Sequence, residues 1–229
     1  MNFDFNILVK ALVELLSALP ITLSVGLLAM LIGLGFGIFI GIVRYFKLPG
    51  IDLILRGYVS FFRGTPLMIQ LFLFFFGLPQ LFPSLGNIGA FEASVLIMSI
   101  NSAAYIAETT RAAILSVDKL QQDAGLSVGL TLWQTMLYVQ LPQALRVAIP
   151  SFGNTFIGII QGTALTFMLG LNDLMGLGKM KAAVNYKFFE IYLAVGLIYW
   201  AITLIIGQAN KYLENHYSKG RDTTVSETL

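Results

Sequence analysis

Residues 27–42 and 193–206 are apolar on every face of any helix drawn through them. A surface helix of a soluble domain keeps one polar face, so these stretches need apolar surroundings on all sides. A bilayer supplies them, and because lipid offers no partner to backbone N–H and C=O groups, a crossing segment must satisfy them internally over about 20 residues. A membrane-spanning β-barrel would alternate at period two, which neither stretch does. Composition agrees: 57% of the 229 residues are hydrophobic and 11% charged, against about 25% charged in soluble domains. The expected fold is therefore all-α, a polytopic helical membrane protein with about five transmembrane helices and a helix lying on the cytoplasmic surface.

Several function classes fall away on residue type alone. No cysteine is present, which excludes a disulfide frame, a thiolate metal site and thiol redox chemistry. A net charge of +2 offers no basic surface for nucleic acid. Ser102 and Ser151 have no histidine in any span, so no catalytic triad forms, and His216 stands in a polar tail without metal-ligating company. No G-x-x-x-x-G-K-[ST] occurs; Gly176-Leu177-Gly178-Lys179 lacks both the spacing and the hydroxyl needed to cradle a phosphate. The chain reads as a non-enzyme with no cofactor of its own.

Residues 1–18 carry Asp4, Lys10 and Glu14 among apolar positions and lack the pattern of a secretory signal. They read as an interfacial N-terminal helix, 19–213 as the transmembrane domain and 214–229 as a polar tail, disordered over its last dozen residues. Five spans fit, at 22–46, 58–78, 91–115, 149–169 and 189–208. Basic loops containing Arg44, Lys47 and Arg56, then Lys119 and Arg146, then Lys211, Lys219 and Arg221, alternate with a Lys/Arg-free loop at 79–90. Positive-inside bias then puts the N-terminus outside and the C-terminus in the cytoplasm. Lys179, Lys181 and Lys187 dissent by falling on the outer side.

Between the third and fourth spans runs Asp123-Ala124-Gly125-Leu126-Ser127-Val128-Gly129, followed after nine residues by Val139-Gln140-Leu141-Pro142. Lys119, Gln121, Gln122 and Asp123 make it too polar for lipid, and a short surface helix is expected. Ala124, Gly125 and Gly129 leave room for a partner to approach closely, and Val139, Leu141 and Pro142 are expected to end the excursion. A helical loop without a partner is the competing reading.

This segment resembles the cytoplasmic coupling motif of permease subunits of ATP-binding cassette importers, Glu-Ala-Ala, three residues, Gly, nine residues, Ile-x-Leu-Pro. Asp123 stands for Glu, Gly125 for the second Ala and Val139 for Ile; the glycine weakens the helix by up to about 1 kcal/mol. Phe61-Phe62-Arg63-Gly64-Thr65-Pro66-Leu67, Ser102-Ala103-Ala104-Tyr105-Ile106-Ala107-Glu108, Leu141-Pro142-Gln143-Ala144-Leu145-Arg146 and Ser151-Phe152-Gly153-Asn154 resemble the polar-amino-acid branch, in order from about residue 22 to 213. The resemblance implies a pair of permeases, here an identical pair, and two cytoplasmic ATPases that bind ATP and Mg. It also implies an extracytoplasmic amino-acid-binding protein. Coupling then falls to Asp123, Ala124, Gly125, Gly129, Val139, Leu141 and Pro142.

Polar residues inside spans mark a substrate path, because an unpaired charge at mid-bilayer costs at least about 2.5 kcal/mol. Asn101, Ser102 and Tyr105 form one candidate set, open equally to interhelical hydrogen bonding; Glu108 and Arg111 are expected to pair with each other. Asn154, Gln161 and Thr163 form a second set, the two amides sharing a helix face two turns apart. Relatives commonly carry a Lys-Asp pair where this chain has Gln161 and Gly162. Loss of both charges disfavours a strongly cationic substrate and suits a zwitterion, with L-cystine first and another polar amino acid second. Arg63 and the Thr65-Pro66 kink read as structural, and Phe72, Phe74, Phe75 and Phe76 as packing surface. An ion-coupled secondary transporter would need an internal repeat and a coupling-ion site, and neither is visible.

Overall fold

The computed structural model describes residues 3–218, so most of the stretch expected to be disordered lies outside the described residues. Helix α1 (Phe5–Leu15) begins at Asp4, whose carboxylate accepts the backbone N–H groups of Asn6 and Ile7. It passes through one 3-10 turn, Leu16–Ala18, into α2 (Leu19–Tyr45). The expected interfacial helix is thus nearly continuous with the first span, a 41-residue run, Phe5–Tyr45. Arg44 in the last turn of α2 suits the negative end of the helix dipole.

The second span departs from a single straight helix. α3 (Ile51–Gly64) stops at Thr65, held in extended geometry because Pro66 follows, and the chain turns by 110° into the segment Leu67–Leu81. That segment comprises α4 (Leu67–Phe72), a π-helical turn, Leu73–Gly77, and α5 (Leu78–Leu81). The helix ends exposed by the break are capped internally: Gln70 Nε2 donates to Phe62 O and Thr65 O, both at 3.0 Å. Among the described residues four helices are long and apolar enough to cross a membrane singly, and there are five if this bent pair is counted as one span.

α6 (Ala90–Leu115) is the central column. α2 runs parallel to it so closely that its own side of the seam is glycine, at Gly33, Gly37 and Gly41. A Cβ at Gly37 would lie 2.6 Å from Ile106 Cβ and 2.9 Å from Ala103 O; at Gly41 it would lie 2.7 Å from Ala107 O. Small residues permit this approach, and dispersion across the resulting contact holds the pair where lipid offers no hydrophobic driving force.

After α6 come α7 (Lys119–Ser127) and α8 (Leu132–Thr135), then a π-helical turn, Met136–Gln140, and α9 (Leu141–Gly162). Leu141 and Pro142 therefore open α9, where a proline in the first turn loses no helical bond, and the fourth crossing begins earlier than residue 149. α9 tightens into 3-10 geometry over Thr163–Leu169. α10 (Leu174–Asn185) follows, and α11 (Phe188–Ser218) returns alongside α9, Asn210 Nδ2 donating to Pro150 O at 3.1 Å. α11 carries the first residues of the expected tail as helix. Leu8, Ala11 and Leu15 of α1 pack with Ile191, Ala194, Val195 and Ile198 of α11. The N-terminus and α10 therefore share one end of the bundle, while α7, α8 and the C-terminal end of α11 share the other.

Candidate functional site: a polar cavity beside α6

A cavity of about 430 Å³ opens between α4, α6 and α9, lined by Leu67, Met98, Asn101, Ser102, Tyr105, Asn154, Thr155, Gly158 and Ile159. It unites Asn101, Ser102 and Tyr105 with Asn154, members of the two sets that sequence spacing proposed separately. Among the described residues no charged side chain lines it. Asn101 Nδ2 donates to Gln70 Oε1 at 2.8 Å and to Phe62 O at 3.2 Å, so the amide nitrogen fastens α6 to the bend of the second span. Its Oδ1 accepts no hydrogen bond among the described residues. The Ser102 hydroxyl lies 3.0 Å from Ser99 O and 3.1 Å from Ala29 O, serving the seam with α2. Tyr105 and Asn154 are exposed to the cavity, and neither side chain makes a hydrogen bond among the described residues.

Gln161 and Thr163 lie outside this lining. Gln161 shares a face with Asn154 but sits two turns further along α9, about 10 Å, past the cavity's last wall residue, Ile159. Thr163 is buried where α9 tightens, its hydroxyl donating to Ile160 O at 2.7 Å and standing 3.3 Å from Tyr199 Oη. Tyr199 in turn reaches Asp173, which caps α10 through Gly176 N at 2.9 Å. Burial pushes the Asp173 carboxyl above the ordinary carboxylate range, against the pull of those hydrogen bonds. Thr163 belongs to this interior network.

Below the cavity stands a charge cluster larger than the expected Glu108–Arg111 pair. Glu108 accepts from Arg111 and, at 2.5 Å, from Arg44 Nη1 at the end of α2. Asp52 lies 4.0 Å from Arg44 Nε and also pairs with Arg56. Arg44 and Asp52 escaped sequence reasoning because Arg44 reads as a loop charge, whereas its side chain is only 10% exposed. The three lysines that dissented from the charge rule all have partners at the α10 end. Lys181 bonds Glu14 at 2.5 Å, Lys187 stands 3.4 Å from Glu190, and Lys179 sits 4.8 Å from the centre of the Phe167 ring.

The surface helix expected from the sequence is α7, with Asp123 and Ala124 exposed and Gly125 buried. A Cβ on Gly125 would lie 2.7 Å from Thr135 Cγ2, so this glycine lets α7 lie against α8. Gly129 follows α7 at φ +87°, a conformation glycine reaches freely and other residues only at a cost. Its Cβ would meet nothing within 4 Å in the chain, so backbone geometry alone accounts for it here. Tyr45 Oη, at the end of α2, lies 3.4 Å from Gln122 Oε1 of α7 and accepts from Gln140 Nε2 at 3.2 Å. Val139 and Leu141 are partly buried where the π turn meets α9.

Residues 33–219 match the family described as binding-protein-dependent transport system inner membrane component. The chain belongs to this family. It is 43% identical to the Probable amino-acid ABC transporter permease protein PatM of Vibrio harveyi over 96% of its own length and 98% of the relative's. It is 33% identical to the L-cystine transport system permease protein TcyL of Bacillus subtilis strain 168, over 98% and 95%. Its fold matches the crystal structure of an amino acid ABC transporter with histidines at a TM-score of 0.85 and 36% identity, covering 94% of this chain and all of the other. These relatives are transporter permeases and not enzymes. The ion-coupled alternative finds no support among them.

Proposed function

We propose that this chain is the permease of an ATP-driven importer for polar amino acids, L-cystine first among them, and that the substrate passes Asn101, Ser102, Tyr105 and Asn154. The cavity carries this reading. Its uncharged polar lining suits a zwitterion, the charges at positions 161 and 162 are missing, and relatives named for amino-acid and L-cystine transport match over nearly their whole length. Two copies of the chain would flank the pathway. An external binding protein would deliver substrate at the α10 end, and two ATPase subunits holding ATP and Mg would dock at the α7 end on the cytoplasmic side. Asp123, Ala124, Gly125, Gly129, Val139, Leu141 and Pro142 form that docking element, and exposed Leu120, Val128, Trp133 and Tyr138 supply apolar surface around it.

Uptake of labelled L-cystine by the reconstituted complex, competed with a panel of amino acids, tests the assignment. L-Cystine is expected to be taken up and to be displaced best by itself. Uptake of no amino acid would reject the reading, and stronger uptake of glutamine or arginine would replace the substrate. Gly129→Arg, which strains the positive-φ position and fills the docking element, should abolish coupled uptake while leaving the chain in the membrane. Normal substrate-stimulated ATP hydrolysis in that variant would remove the docking assignment.

A further inference from the structure

Three consecutive residues at the end of α2 reach α6, the π turn, α7 and α8. Arg44 Nη1 donates to Glu108 on α6 at 2.5 Å. The Tyr45 hydroxyl accepts from Gln140 Nε2 in the π turn at 3.2 Å and donates toward Gln122 Oε1 of α7 at 3.4 Å, while the Gln140 side chain it holds is buried. Phe46 packs against Trp133 of α8, ring centres 5.6 Å apart, and Trp133 is half exposed on the opposite side. None of the three residues belongs to the docking element between Asp123 and Pro142.

Two contacts of this turn are unfinished. An O–H···O bond settles near about 2.7 Å, so the one from Tyr45 to Gln122 stands open by roughly half an ångström or more. Arg44 Nε is buried and has no hydrogen-bond partner among the described residues. Asp52 waits 4.0 Å from it, about 1 Å beyond a made N–H···O bond, and a buried donor left unpaired carries a cost that such a bond would remove. Lys47, directly after the turn, holds φ +51°, where a side chain strains the backbone. The seam above has no such slack. A Cβ on Gly41, one turn before Tyr45, would lie 2.7 Å from Ala107 O, so a shift of α2 is passed directly to α6.

Resting on the proposed function, we infer that the last turn of α2 is the joint through which ATPase-driven displacement of α7 and α8 reaches α6 and the cavity, with Tyr45 as its positioning residue. In the displaced state the Tyr45–Gln122 and Arg44–Asp52 bonds are both made, and the strain at Lys47 is where the turn gives. Gln140 holds the Tyr45 ring in place, so that the hydroxyl answers to α7 alone.

The test uses the permease with its ATPase subunits and binding protein in proteoliposomes and reads L-cystine, L-glutamine and L-arginine, each taken up per ATP hydrolysed. Tyr45→Phe keeps the ring and loses the hydroxyl; Gln122→Ala loses only the acceptor on α7. Each is expected to lower the ratio about 3- to 10-fold, with the ATPase subunits still co-purifying in wild-type amount and the KM for uptake unmoved. Gln122→Glu, which keeps an acceptor for the hydroxyl, should retain the wild-type ratio, and the double variant Tyr45→Phe, Gln122→Ala should fall no further than Tyr45→Phe alone. A wild-type ratio in both single variants, or losses that add in the double, overturns the inference and leaves the import reading intact. If Tyr45→Phe fails to assemble because buried Gln140 loses its partner, a wild-type ratio in Gln122→Ala overturns it and a lowered one that Gln122→Glu restores upholds it. A wild type that takes up none of the three amino acids rejects the import reading, and the joint with it.

Discussion

Helix α6 meets α2 and α9 on different faces, and the two contacts are built from different materials. Toward α2 it offers Ala103, Ile106 and Ala107 to glycines, and the helices close until those glycines have no room for a Cβ. Toward α9 it offers Met98, Asn101 and Tyr105, and the helices stand apart around an open volume. Ser102 lies on the boundary, lining the cavity while its hydroxyl serves the seam. One face therefore gives close packing and the other gives room. A single helix divides the two tasks through residue size alone.

The comparison breaks first at the seam. Gly37→Val places a branched side chain against Ile106 and the Ala103 carbonyl, and should cost about 3 kcal/mol, seen as a lower melting temperature in detergent and a smaller folded yield; wild-type melting would mean that the seam is loose. Glu108→Gln leaves Arg44 with only a distant Asp52 and should cost about 2 kcal/mol in the same assay. Asn154→Ala sharpens the other side of the contrast. An exposed, unpartnered cavity residue should leave stability within about 0.5 kcal/mol yet raise the KM for uptake about threefold to tenfold, and a variant that melts early with normal KM would make Asn154 structural. The smallest change is expected from Gly35→Ala, two residues from Gly37 on the outer side of α2, where a Cβ meets nothing within 4 Å. It should stabilise slightly, by up to about 1 kcal/mol, and destabilisation there would show that a neighbour occupies that face.

The sequence made the fold class and the number of apolar segments legible because apolar run length is a local property that a bilayer enforces, but not where the first, second and fourth of them begin. The 110° break was signalled by Pro66, since a proline constrains its own neighbour, but its angle depends on caps such as Gln70 that are not adjacent in the chain. Of the six candidate substrate residues, Asn101, Ser102, Tyr105 and Asn154 meet in one cavity. Helical periodicity puts Ser102 with Tyr105 and Asn154 with Gln161 on shared faces but carries no depth, and Gln161 lies two turns beyond Asn154; Thr163 sits where α9 tightens into 3-10 geometry and turns into the interior. The partnership of Arg44 with Glu108 spans 64 residues and carries no local signal. Gly33, Gly37 and Gly41 did carry one: glycines repeating every fourth residue in an apolar run announce a close helix contact.

The ion pair between Glu14 and Lys181 joins residues 167 positions apart, and the apolar partners of α1 on α11 are synthesised later still. At ordinary rates of elongation the ribosome reaches them about ten seconds or more after α1 has emerged. During that interval the first helix of the chain has no mate of its own, and Phe5, Val9, Val13 and Leu16, which remain exposed even in the finished fold, are joined in exposure by Leu8, Ala11 and Leu15. Biogenesis of this permease therefore begins with a segment that must be sheltered by lipid or by the insertion machinery, and completing its last helix is the event that releases the first from custody.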